Sequence, residues 1–214
     1  MNARIALAAL LACIAAQPAG AAIVVKPLDY LGQPSGWEAR YDDALVGVTV
    51  DMLETVGLTP GYVDIEIGKQ FTDFVNVPVE FFQIAPNPVP VIRIVDETMA
   101  NSTGRVWTDF HWELAGPATF SDPDDFYIGP FTRKILTATT LDVDLGVVGD
   151  APPNNIFRPG DPDQPGGPLY IHPAIGQEPD FTSFTLIQYP TPEPGTMALL
   201  AVGGAALLRR RRRR

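Results

Sequence analysis

Cysteine is almost missing from this chain. Its one copy, Cys13, lies in the N-terminal apolar stretch, so the body that follows can form neither a disulfide nor a thiolate metal site. Histidine is nearly as scarce, with His111 and His172 alone. Two imidazoles without cysteine fall short of the three or four protein ligands of a zinc site. No Gly-x-Ser-x-Gly motif accompanies them, so serine-triad chemistry has no support, and His111 reads as a side chain on a solvated strand face. Basic residues are also few once the two ends are set aside. The body carries eight Lys and Arg against twenty-four Asp and Glu, a net charge of −16. Such a body is repelled by nucleic acid and anionic lipid and attracts cations, which excludes the nucleic-acid-binding classes. Amphipathic helical periodicity is absent as well.

What is present is concentrated first at the ends. Arg4 precedes an apolar run over residues 5–16, Gln17 and Pro18 break it, and Ala19-Gly20-Ala21 has the small-x-small form of a cleavage site at Ala19 and Ala21. A dozen apolar residues are too few for a stable membrane span but suit a cleaved signal helix over residues 1–21. An alternative reading takes Leu10-Leu11-Ala12-Cys13 as a lipobox, with Cys13 as a lipidated N-terminus.

At the other end, a spacer over residues 190–194 contains Pro192, Glu193 and Pro194. A short apolar segment over residues 195–208 follows, then Arg209, Arg210, Arg211, Arg212, Arg213 and Arg214. The arginines form a cytoplasmic stop behind a membrane helix. At 1.5 Å per residue that helix is about 21 Å long, against a hydrocarbon thickness of about 30 Å. The hold is weak and needs snorkelling arginines, which suits a transient inner-membrane anchor. Pro-Glu-Pro, a short apolar helix and terminal arginines, in that order, resemble the PEP-CTERM sorting signal, a tail also labelled the ice-binding protein C-terminal domain. The resemblance implies recognition and cleavage by an exosortase-like membrane protease. It also implies a Gram-negative surface or extracellular protein associated with exopolysaccharide or biofilm matrix. Gly203-Gly204 resembles the related GlyGly-CTERM tails, and an ordinary single-pass tail anchor is the plain alternative.

The body, residues 22–189, alternates apolar and polar residues with period two, as half-buried strands do. Strands are expected near residues 23–28, 37–41, 46–52, 62–67, 77–83, 91–96, 105–114, 134–143 and 181–189. The turn residues of Asn101-Ser102-Thr103-Gly104 are expected to close a hairpin between two of them. The Pro/Gly-rich stretch 151–168 reads as a long loop, because its prolines remove ladder donors. These features predict an all-β antiparallel sandwich, with a jelly roll as the alternative.

Three groups of side chains carry candidate chemistry. Asp122, Asp124 and Asp125, with Asp161 and Asp163, place hard oxygen ligands in or near loops, as a calcium site would require. Their spacing matches no EF-hand, and solvated surface acids are the simpler account. Asp142 and Asp144 read as the polar side of a strand. Strict alternation from Arg105 to Leu114 puts Val106, Phe110 and Trp112 inside and Trp107, Asp109 and His111 outside, making Trp107 the candidate glycan contact. Asp109 and Glu113 share that outer face. At about 3.3 Å per residue they stand roughly 13 Å apart along the strand, too far for a glycosidase pair. No catalytic residue is assigned. The expectation is an exported non-enzymatic β-sandwich, with a calcium- or carbohydrate-binding adhesion module as alternative and a glycan hydrolase behind it.

Overall fold

In a computed structural model, residues 23–43 and 45–192 are described, and they are all-β without a helix. The signal segment with Ala19 and Ala21, the membrane segment 195–208, Glu193, Pro194 and the six terminal arginines lie outside the described residues. Thirteen strands follow in chain order. They are β1 (Ile23–Tyr30), β2 (Gln33–Asp42), β3 (Val48–Leu58), β4 (Val63–Phe71), β5 (Val77–Gln83), β6 (Ile92–Asn101) and β7 (Trp107–Ala115). The chain continues with β8 (Ala118–Ser121), β9 (Arg133–Leu136), β10 (Thr140–Asp144), β11 (Ile156–Phe157), β12 (Leu169–Pro173) and β13 (Ser183–Pro192).

The strands form two sheets. One has the order β1-β2-β5-β13-β7-β10-β9; the other has β3-β4-β6-β12-β8, with β11 pairing β6. Their inner faces share one apolar core. Phe71 of β4 meets Trp107 and Phe110 of β7 edge-on, with centroids 5.3 and 6.0 Å apart, and Phe110 meets Phe157 of β11 at 5.5 Å. Edge-on aromatic pairs add about 0.5–1.5 kcal/mol each beyond the area they bury. A sandwich-like all-β body is thus the outcome; its seven-stranded sheet is antiparallel throughout, whereas its six-stranded sheet is mixed. β4 and β6 run parallel, from Val63↔Ile92 to Phe71↔Asn101, which corrects the expectation of purely antiparallel sheets.

Two expected elements also came out differently. Residues 134–143 are not one strand; Thr137 turns the chain by accepting amide protons from Thr139 and Thr140, and β9 folds back on β10. The turn after Asn101 is not a hairpin. β6 and β7 belong to opposite sheets, so the chain arches across the sandwich there. The Asn101 side chain holds the arch from inside. It donates to the carbonyls of Arg105 (2.7 Å) and Gly149 (2.8 Å) and accepts from the Thr103 amide (3.0 Å). Gly104 supplies the positive φ of 71° that closes it.

Strand registers place both ends of the body together. Ile23 pairs Asp42 at one end of the seven-stranded sheet, and β2 and β5 carry that end to Val77, which faces Gln188 near the end of β13. β1 therefore starts where β13 leaves.

Candidate tail junction and a buried charge network

β13 is a central strand, flanked by β5 and β7. Its inward residues are Phe184, Leu186, Gln188 and Pro190. It pairs β5 only from Ser183 to Gln188, whereas its pairing with β7 runs on through Pro190↔Phe110, Thr191↔Asp109 and Pro192↔Trp107. The first three residues of the expected spacer 190–194, including Pro192 of the sorting motif, are thus paired strand. The prolines fit there for a reason. The Thr182 carbonyl accepts from the Gln83 amide of β5 (2.9 Å), so even-numbered positions of β13 address β5 and odd ones address β7. Pro190 is even, and β5 begins opposite Gln188, so its missing N–H removes no ladder bond.

Beside this junction lies a cluster that sequence reasoning missed. Lys69 of β4, Glu97 of β6, Trp112 of β7 and Gln188 of β13 meet between the sheets, each at most 1% exposed. Trp112 Nε1 donates to Glu97 Oε2 (2.8 Å), and Gln188 Nε2 donates to Glu97 Oε1 (2.5 Å). Lys69 Nζ donates to Gln188 Oε1 and stands 3.8 Å from Glu97 Oε1. The Gln188 amide therefore bridges the two charges. Burial pushes the Lys69 ammonium down to about 8 and the Glu97 carboxyl upward, against the opposing pull of each on the other. Two sheets are pinned to one another by side chains from four strands.

Lys69 was legible: it shares the inward parity of Val63, Ile65, Ile67 and Phe71. Glu97 was hidden by a bulge. Ile65 pairs Ile94 but Glu66 pairs Asp96, so Val95 is the extra residue, and beyond it Glu97, Met99 and Asn101 turn inward.

A second bulge overturns the glycan expectation at Trp107. Thr191 pairs Asp109 and Pro192 pairs Trp107, leaving Thr108 unpaired, so the alternation slips and Trp107 joins Phe110 inside the core. Trp107 is 0% exposed and cannot stack on a sugar. Its Nε1 is the buried side-chain polar atom left without a partner among the described residues.

The candidate calcium ligands are taken up by cations and donors of the protein itself. Lys134 takes Asp122 and, at 2.7 Å, Asp125; it holds the Asp125 carboxyl below the usual carboxylate range. Asp124 accepts from the Tyr170 hydroxyl (2.7 Å). Asp161 accepts the Asp163 amide (3.0 Å) and pairs with Arg158 at 3.3 Å. Among the described residues no three His, Cys, Asp or Glu side chains gather as a metal group. Asp144 pairs with Arg133 rather than standing free.

On the outer face of the seven-stranded sheet, His111 Nδ1 lies 2.6 Å from Asp142 and its ring stacks on Tyr189 at 4.8 Å. The neighbouring Asp109 accepts from the Thr191 hydroxyl, so this polar face borders the tail junction. His172 Nε2 lies 2.7 Å from Ser121 Oγ on the other sheet. There the Arg93 guanidinium lies 3.4 Å above the Tyr62 ring and 5.6 Å from Tyr170, holds Asp64 through two bonds (2.6 and 2.8 Å), and Tyr170 stacks near His172.

The fold and the junction define an all-β, sandwich-like body whose core strand runs straight into a proline-flanked tail. Residues 190–213 match the family model described as the PEP-CTERM protein-sorting motif. The chain thus carries an exosortase sorting signal, the mark of an exported protein held at the membrane and then sorted to the surface. Comparison with the curated proteins and with the solved structures returned no match to the chain.

Proposed function

We propose that this protein is an exported, non-enzymatic β-sandwich that an exosortase-like protease processes at its tail and releases into the cell envelope or exopolysaccharide matrix. The observation that carries the reading is the continuity of β13 with the sorting motif. Pro192 is still paired strand, and two residues separate it from the apolar segment. At 3.3–3.6 Å per residue, the folded body sits within about 10 Å of the membrane interface while the tail is attached. Two residues are too short a connection to display the body at a distance, so processing precedes any role away from the membrane. Mass spectrometry of the mature protein from an exosortase-positive host tests this. A C-terminus lacking the arginine cluster is expected there, and the full tail in an exosortase deletion; an intact Arg214 in both refutes processing.

A second reading, a carbohydrate-binding adhesion module, is favoured by the row of flat groups Tyr62, Arg93, Tyr170 and His172 on the outer face of the six-stranded sheet. Half-buried planar side chains suit sugar rings, while Asp64 and Asp124 beside them are engaged by Arg93 and by the Tyr170 hydroxyl. A glycan array should then show binding that Tyr62→Ala and Tyr170→Ala both remove.

A further inference from the structure

We propose that β13 carries a built-in peel stop at Gln188: pulled from the tail, only residues 189–192 leave the folded body, so processing is confined to bonds C-terminal to Gln188. The inference rests on the processing reading and deepens it by naming what limits the enzyme's access.

The two parts of β13 share the pairing with β7 but differ in what else resists peeling. Residues 189–192 are paired on one side only, with β7, because β5 begins opposite Gln188. Opening them breaks the ladder to β7 at Tyr189 and Thr191, the Tyr189–His111 stack and the Thr191–Asp109 bond on the outer face, and lifts Pro190 off the core. The charge network stays closed throughout. Opening Gln188 is a different event. It separates β13 from β5 and β7 together and takes away the amide that bridges Lys69 to Glu97. Two buried ionisable groups then lose their shared partner and meet water. The next inward residues, Leu186 and Phe184, are 0% and 2% exposed, so further peeling uncovers the apolar core. The strand is also tied at its start. Gln83 accepts the Thr182 amide (3.3 Å) and the Gly176 amide (2.8 Å), fixing the loop that leads into β13.

A membrane-bound enzyme that engages the tail can therefore free four residues, about 13 Å of already extended chain at 3.3 Å per residue, which gain freedom of direction rather than length. That is enough to admit a strand-shaped substrate without unfolding the body.

The test uses the full chain in detergent, digested with limiting proteinase K and followed by intact mass. Products should end at Gln188 or beyond; a folded body ending before Gln188 overturns the proposal. Hydrogen exchange on the wild-type chain gives an independent reading. Leu186 and Gln188 amides should exchange on the order of 100-fold more slowly than those of Tyr189 and Thr191, and equal rates overturn it. Gln188→Ala should move the cuts into residues 183–188, and an unchanged pattern in a folded variant removes the stop from Gln188. If that variant does not fold, the exchange measurement decides. An uncleaved tail in the host would refute the processing reading alone, because digestion and exchange in vitro still answer this one.

Discussion

Charges of opposite sign meet both on the surface of this molecule and in its core, and the same chemistry does different work in each. On the surface, Arg133 and Asp144 pair with side chains 53% and 29% exposed. Inside, Lys69 and Glu97 are wholly buried and are joined through Gln188. Water and salt screen the outer pair, so it contributes little and costs little to lose. The inner group has given up its hydration, and its hydrogen bonds only offset that loss. What it confers is register: charge on β4 finds charge on β6 only when the bulge at Val95 is in place and β13 presents Gln188. The comparison teaches that this body spends polar groups on specifying which strands meet, and leaves its many acids to solubility.

The largest effect should come from breaking the inner group by halves. Glu97→Leu leaves the Lys69 ammonium buried without its counter-charge and should cost about 3–5 kcal/mol. For a body of this size that lowers Tm by roughly 6–20 °C, measurable by circular dichroism melting. Loss no greater than at a surface pair would erase the contrast.

Titration sharpens it next. Burial holds Lys69 at about 8 in the folded chain against 10.5 unfolded. Between those values the unfolded lysine keeps a proton that the folded one has lost, so its part of the stability rises with pH across that window. Glu97 runs the other way above pH 4.5, because the folded carboxyl keeps a proton that the unfolded chain has released. Denaturant melts at pH 8 and pH 10 should show the wild type gaining on a Lys69→Met, Glu97→Leu, Gln188→Leu variant by on the order of 1–3 kcal/mol; no gain would mean that the Lys69 contribution is absent or matched by the opposing one from Glu97.

That triple variant at neutral pH should itself lie within about 2 kcal/mol of the wild type, since apolar side chains of similar volume avoid the desolvation cost. Its residual loss is the unpaired Trp112 N–H, worth about 1 kcal/mol. A triple as unstable as Glu97→Leu would mean that the polar group stabilises outright. The smallest effect belongs to Arg133→Ala, for which no Tm change beyond scatter is expected at physiological salt.

Much of the fold could be read from local pattern. Most of the expected strands exist near their expected positions, and inward positions such as Val63, Ile65, Ile67, Phe110, Trp112 and Leu114 were placed correctly by period two alone. Two of the failures share one cause. A bulge adds a residue without leaving a mark in the apolar pattern, and it inverts the parity of everything on one side. Thr108 did this to Trp107, and Val95 did it to Glu97. A turn's residues likewise reveal a reversal but not whether the next strand joins the same sheet. The segment around Thr137 hid a hairpin, and the turn after Asn101 proved to be an arch between sheets.

By itself the sequence determined where this protein is sent and what class of body it carries. Export and sorting signals are linear, read by membrane insertion and by an enzyme that meets an extended chain, and alternation is a property of neighbours. Only the tertiary structure decided that the sorting motif begins on a central strand, that Trp107 is covered, and that Lys69, Glu97 and Gln188 meet. Those facts depend on which strands lie side by side and on single-residue slips in their register, and both are settled by packing between segments distant in the chain.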